Sequence, residues 1–274
     1  MRQEQRLLAA LLTVAVLLLL YFGLSRRSTR TPVVSEGLKK SKPVAPGSQR
    51  DESSVLISTE LYTMRQVNAS IKHNDVPLRL SLVAVEPRKH IQAKVPSVLL
   101  LHGHEQSAMM WEKIGTLQVL GDTGHKAYAI DLPGSGHTRL LGKLAPSDFI
   151  QAVVDYLDLD RPLLVAPSTS GVFAFAYALE DPHSMQARLS GFIGLSPSHA
   201  LAYAQEDFAH FKKVYTVLLY GTENDLPGEE AYKRFRLIPS ARVIPVDSAS
   251  HLHYVERPDI VNDIIIDALK ALED

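Results

Sequence analysis

The chain has 274 residues, 46% of them hydrophobic and 22% charged, and a net charge of −1. This composition suits one globular α/β domain, and the balanced charge without a basic or aromatic-basic face excludes a nucleic-acid binder. Cysteine is absent, which removes disulfides, thiolate chemistry and thiolate-bound zinc.

Leu7 to Leu24 is an apolar run interrupted only by Thr13. As a helix with a rise of about 1.5 Å per residue it is roughly 27 Å long, close to the hydrocarbon core of a bilayer, about 30 Å. Residues 7–24 therefore read as a single-pass transmembrane signal anchor, longer than the core of a cleaved signal peptide. Arg2 and Arg6 precede it, and Arg26, Arg27 and Arg30 follow, so the positive-inside bias leans towards a cytosolic folded region. The sequon Asn68-Ala69-Ser70 leans the other way, since it has meaning only in a lumen. Residues 25–54 are rich in Ser, Pro, Lys and Arg without apolar period and read as a flexible tether, leaving 55–274 as the folded domain.

Within that domain, strand-like stretches at 61–67 and 78–85 come first. Short apolar runs follow at 98–101, 127–130, 163–165, 192–195, 217–220 and 243–246. Helical patterns at 110–122, 147–157, 170–180, 229–235 and 260–272 separate them. Buried strands alternating with helices predict a mainly parallel, twisted sheet covered on both faces, with active residues on loops beyond the strands' carboxyl ends.

Leu163 to Gly171 reads L-L-V-A-P-S-T-S-G: strand, tight turn, helix. A nucleophile elbow requires a serine on such a turn with small residues two positions away on each side, here Ala166 and Ser170 around Ser168. Ser196 and Ser198 satisfy the same small-residue template. After Ser196 comes Pro197, which has no N–H to donate to an oxyanion, and Ser198 lies beyond too late a strand. Ser168 is followed by Thr169, whose main-chain N–H can donate.

The run V-L-L-L-H-G-H-E at 98–105 ends a strand in His-Gly, which lets a second main-chain donor, from His104, point at the site. His102 reads as structural, as does Asp131 in A-I-D-L-P-G-S-G-H, a loop organiser. The base is expected after the last strand, at His251, with His253 as its neighbouring rival. The acid is expected after the strand 217–220, where Y-G-T-E-N-D-L offers Asp225 and Glu223, Asp225 preferred. This pattern requires neither cofactor nor metal.

Together, L-L-L-H-G, the stretch from Trp111 to Leu117, A-I-D-L-P-G-S-G-H, P-S-T-S-G, L-Y-G and H-L-H-Y resemble the α/β-hydrolase superfamily. The finer resemblance is to the alpha/beta hydrolase domain-containing protein 14 family, particularly its membrane-anchored A form. The resemblance implies a Ser-Asp-His hydrolase with Ser168 and His251 in the matching positions, and a type II single-pass membrane protein with a lumenal or outer catalytic domain. That conflicts with the charge bias, and the side, a cytoplasmic one included, stays open. The soluble branch of the family is associated with short acyl esters and acylated lysine, with coenzyme A as a candidate acyl acceptor. One departure stands out: the family's aspartate lies three residues after the glycine of L-Y-G, where this chain has Asn224.

Only about twenty residues separate the strand ending at Ser196 from the next, space for one helix at most. An uncovered site for short acyl groups or a protruding side chain is therefore expected. The rival reading is an impaired hydrolase fold that serves as a membrane-tethered binding module.

Overall fold

The computed structural model describes residues 52–181 and 185–273. The anchor proposed at 7–24 and almost all of the tether at 25–54 lie outside them. Among the described residues, no helix is long and apolar enough to cross a membrane.

Among the described residues, ten strands form one sheet. They are β1 (Glu52–Ser58), β2 (Tyr62–His73), β3 (Val76–Pro87), β4 (Val98–Leu100), β5 (Ala127–Ile130), β6 (Arg139–Leu140), β7 (Leu163–Pro167), β8 (Gly191–Leu195), β9 (Tyr215–Gly221) and β10 (Arg242–Val246). Their order is β1-β2-β3-β5-β4-β7-β8-β9-β10, with β6 pairing β3 at the side. The β1, β2, β3 and β5 pairings are antiparallel, and every pairing from β5 to β10 is parallel. Two of the early features depart from the sequence reading. β1 begins at Glu52, so Glu52, Ser53 and Ser54 pair with β2 and belong to the sheet rather than to the tether. The single helix expected at 110–122 is two, α1 (Met109–Lys113) and α2 (Thr116–Asp122), because the chain turns left-handed at Gly115.

The inner strands are apolar throughout because both faces are covered. Along β4 and β7, Leu99, Leu164 and Ala166 join one core cluster, while Val98, Leu100, Leu163 and Val165 join the other. This is the period of two expected of a strand. The first face is covered by α3 (Pro146–Tyr156), α4 (Gly171–Leu179) and α5 (Leu226–Phe235), through Phe149, Val153, Phe175 and Phe235. The second is covered by α1, α2 and a C-terminal helix at Pro258–Ala271, through Trp111, Leu117, Val261 and Ile265.

Between β8 and β9 the chain makes a single one-turn α-helix, Gln205–Phe208, between two 3-10 turns, within the limit of one helix expected there. Phe208 and Phe211 from this segment are fully buried. They pack against Phe175, Phe192 and Phe235 with ring centroids 5.0–6.5 Å apart. Buried aromatics of this kind dominate the packing of a core. The segment is thereby pinned into the core on the α4–α5 face of the sheet.

β4 enters the middle of the sheet, β5 lies on one side of it and β7 on the other. The chain thus reverses its direction of winding between β4 and β7, the place where doubly wound sheets leave a crevice beyond their carboxyl ends.

Candidate active site

Ser168 follows β7 at that crevice. Its φ of +50° is a left-handed conformation that side chains with a Cβ seldom adopt, which marks a strained strand-to-helix elbow. The turn is held by Ser170 Oγ, which donates to the Pro167 carbonyl at 2.6 Å, and by Ser198, whose N–H and hydroxyl donate to the Ser168 carbonyl at 2.9 and 3.2 Å. Ser168 is nearly buried, while Thr169 faces solvent.

The imidazole of His251, on the loop after β10, spans two partners. Its Nε2 lies 2.8 Å from Ser168 Oγ, and its Nδ1 lies 2.8 Å from Asp225 Oδ1. Asp225 is the N-cap of α5, where Oδ1 also accepts the Gly228 N–H at 2.9 Å. Its Oδ2 accepts the Gly221 N–H at 2.9 Å and the Ser196 hydroxyl. Burial alone would raise this carboxyl's pKa. The bonds from His251, Ser196, Gly221 and Gly228 outweigh it and hold the value at about 2.

Of the two carboxylates weighed from sequence, only Asp225 reaches His251; Glu223 is exposed, its N–H donating to the Ala249 carbonyl at 3.0 Å. The position three residues after Gly221 is Asn224, which is left-handed with φ +52°. That turn takes up the extra residue and delivers Asp225 to the site.

The loop after β4 abuts the elbow. A Cβ added to Gly103 would stand 3.3 Å from Ser168 Cβ. The Gly103 N–H donates to Gln106 Oε1 at 2.9 Å, and Tyr254 Oη donates to the same oxygen at 3.3 Å, which fixes the loop's path. His104 follows Gly103 with its side chain exposed. Among the described residues, no hydrogen bond engages the main-chain N–H of His104 or of Thr169. Gln106 has no motif to reveal it, and Tyr254 stands in the H-L-H-Y stretch with no role assigned to it.

His102 and Asp131 are structural, as the sequence suggested. The Leu132 N–H donates to His102 Nε2 at 2.9 Å, which leaves Nδ1–H to donate to the Gly103 carbonyl at 2.8 Å. Burial pushes the His102 pKa down, so a neutral ring ties the ends of β4 and β5 together. Asp131 accepts the Ala108 and His137 N–H groups at 2.8 and 2.9 Å. The rival serines and histidine also have places. Ser198 supports the elbow, and Ser196 and His253 lie buried behind Asp225. Among the described residues, no group of side chains could hold a metal ion.

The profile of the alpha/beta hydrolase fold matches residues 96–213. The Homo sapiens protein named "Putative protein-lysine deacylase ABHD14B" is 34% identical over 185 residues, covering 65% of this chain and 84% of that protein. The chain belongs to the alpha/beta hydrolase domain-containing protein 14 family. Another relative in this family, the Mus musculus protein named "Protein ABHD14A", is 31% identical over 61% of this chain and 68% of its own length. Among solved structures, a predicted CIB-like hydrolase from Thermoplasma acidophilum superposes with a TM-score of 0.63 at 20% identity. That match covers 76% of this chain and all of the other. An esterase from Thermogutta terrifontis gives 0.58 at 18% identity over 76% of this chain and 99% of its own. These two share the fold of the family, and family and fold together make this chain a hydrolase.

Proposed function

We propose that this protein is a serine hydrolase that removes short acyl groups from esters or acylated lysine side chains through an acyl-enzyme on Ser168. The observation that carries this reading is the series Ser168 Oγ–His251 Nε2 and His251 Nδ1–Asp225 Oδ1, both at 2.8 Å. His251 Nε2 removes the hydroxyl proton as Ser168 Oγ attacks the acyl carbonyl, and the main-chain N–H groups of His104 and Thr169 receive the oxyanion. The imidazolium, stabilised by Asp225, then gives that proton to the departing amine or alcohol. A water molecule enters, loses a proton to His251, attacks the acyl-enzyme, and releases the carboxylic acid with Ser168 restored. The rival reading of a non-catalytic binding module is motivated by Asn224 at the family's aspartate position; the left-handed turn there, with Asp225 within hydrogen-bond distance of His251, supports the enzyme.

The names of the ABHD14B relatives support an acylated lysine as substrate. The segment between β8 and β9, pinned by Phe208 and Phe211, supports an uncovered site that takes a protruding group. Residues 7–24 are proposed as a single-pass anchor and 25–51 as the tether of a domain whose first strand begins at Glu52; protease protection of the full chain in sealed membranes tests the anchor and its orientation.

The deciding experiment is fluorophosphonate labelling of the full chain with Ser168→Ala beside it. Label on the wild type and none on the variant supports the reading. Folded wild-type protein that stays unlabelled overturns it. A panel of short acyl esters, long-chain esters and acyl-lysine peptides, with and without coenzyme A, then ranks substrates, and preference for long chains would refute the uncovered site.

A further inference from the structure

Ser196 immediately follows β8 and His253 follows the loop that bears His251, and both are fully buried. Ser196 Oγ bonds Asp225 Oδ2 and lies 3.0 Å from His253 Nε2. An ionised carboxylate only accepts, so the Ser196 hydroxyl donates its hydrogen bond to Asp225, and its oxygen is left to accept from His253. That makes Nε2 the protonated nitrogen of His253 and leaves Nδ1 bare. Among the described residues Nδ1 has no hydrogen-bond partner, and a bare lone pair is cheaper to bury unpaired than an N–H.

We propose that His253 and Ser196 form a buried relay of positioning residues that orients Asp225, and through it His251, for the reaction. The proposal rests on the serine-hydrolase reading above. The relay passes hydrogen bonds, not protons: His253 Nε2–H to Ser196 Oγ–H to Asp225 Oδ2. It holds the far oxygen of the carboxylate while the near oxygen faces His251, and it spreads the negative charge over donors on both sides.

The groups around His253 keep it a neutral donor. Burial pushes its pKa down to about 4; Asp225 and Glu256 pull it up and His251 pushes it down, while the Tyr254 ring meets it edge-on at 5.7 Å. The other groups on Asp225 are the fixed main-chain donors of Gly221 and Gly228. Among the described residues, Ser196 is thus the side-chain donor on Oδ2, opposite His251 on Oδ1, and its removal concentrates charge on the oxygen that faces His251. More charge there favours the protonated, inactive form of the base.

The test compares the full chain as wild type, Ser196→Ala, His253→Leu and His253→Gln, since the Gln amide can place a donor near the position of Nε2. Three readouts are taken: kcat and KM on a short acyl ester, the acid limb of kcat/KM, and the downfield proton resonance of the His251 Nδ1–H. In Ser196→Ala and His253→Leu, kcat is expected to fall about tenfold with KM unchanged, the size of one hydrogen bond to a charged group. The acid limb and the resonance move in both, and His253→Gln recovers towards wild type. Folded variants with wild-type kcat, acid limb and resonance overturn the relay. So does a fall in kcat with neither limb nor resonance moved and no recovery in His253→Gln, which is loss of packing alone. If Ser196→Ala does not fold, the two His253 variants decide. If the wild type takes no fluorophosphonate label, the hydrolase reading fails on its own, and the resonance still decides whether the relay polarises Asp225.

Discussion

A Cβ atom on Gly221 would stand 2.2 Å from the carbonyl oxygen of Ser250. The end of β9, which leads to Asp225, and the loop that carries His251 therefore touch backbone to backbone, closer than any side chain allows. Gly221→Ala forces these segments apart and also disturbs the N–H that Gly221 gives to Asp225. Turnover is expected to fall by about 10² or more, the cost of a displacement on the order of 1 Å among reacting groups. Steady-state kinetics with circular dichroism as the folding control check this.

Ser168→Ala removes the proposed nucleophile from a left-handed position while leaving the rest of the elbow in place. A loss of at least ~10³ in kcat is expected, with any residual rate carried by the oxyanion donors. Folding is expected to be retained. A variant that keeps a tenth of wild-type turnover would contradict the assignment.

The two candidate acids separate cleanly. Asp225→Asn keeps an oxygen for the helix cap but loses the charge, and kcat is expected to drop by about 10⁴. Glu223→Gln changes an exposed side chain and is expected to leave kcat within about twofold. The reverse order would transfer the role to Glu223.

His253 makes stability depend on pH. Its pKa is about 4 in the folded chain against 6.5 ordinarily, so between these values the unfolded chain takes up a proton that the folded one refuses. Stability contributed by the neutral ring is complete above about 6.5 and declines as pH falls towards 4, by up to about 3 kcal/mol. Asp225 acts lower. Its carboxyl sits at about 2 against 3.8, so its contribution is present above 3.8 and is lost as pH falls through 2. Denaturant unfolding of wild type and His253→Gln between pH 4 and 7 checks the first window: the difference between the two is expected to vary with pH, and a constant difference would refute it.

The parts of the fold that could be read from the chain are those decided locally. β4, β7 and β8 are continuous apolar runs because both of their faces are covered, and Ser168 sits in a turn whose demands are written in its immediate neighbours. Pro197 after Ser196 removed a rival by chemistry alone. What escaped depends on distant partners. β6 is two residues long and exists only through its pairing with β3, and the first three residues of β1, Glu52 to Ser54, are polar enough to pass for tether. The sequence favours Asp225 over Glu223, but that Asp225 is the one to meet His251 depends on the left-handed turn at Asn224. Ser196 and His253 lie 57 positions apart in sequence, and only the meeting of β8 with the loop after β10 makes them neighbours.

Phe175 and Phe192 pin Phe208 and Phe211, and so hold the segment between β8 and β9 down against the sheet rather than over the crevice. For the chemistry proposed, the roof has to arrive with the substrate. A bulky carrier that presses its own surface around Ser168 would exclude water where a small ester would not, so molecules with the same acyl group would differ in rate according to the body behind it.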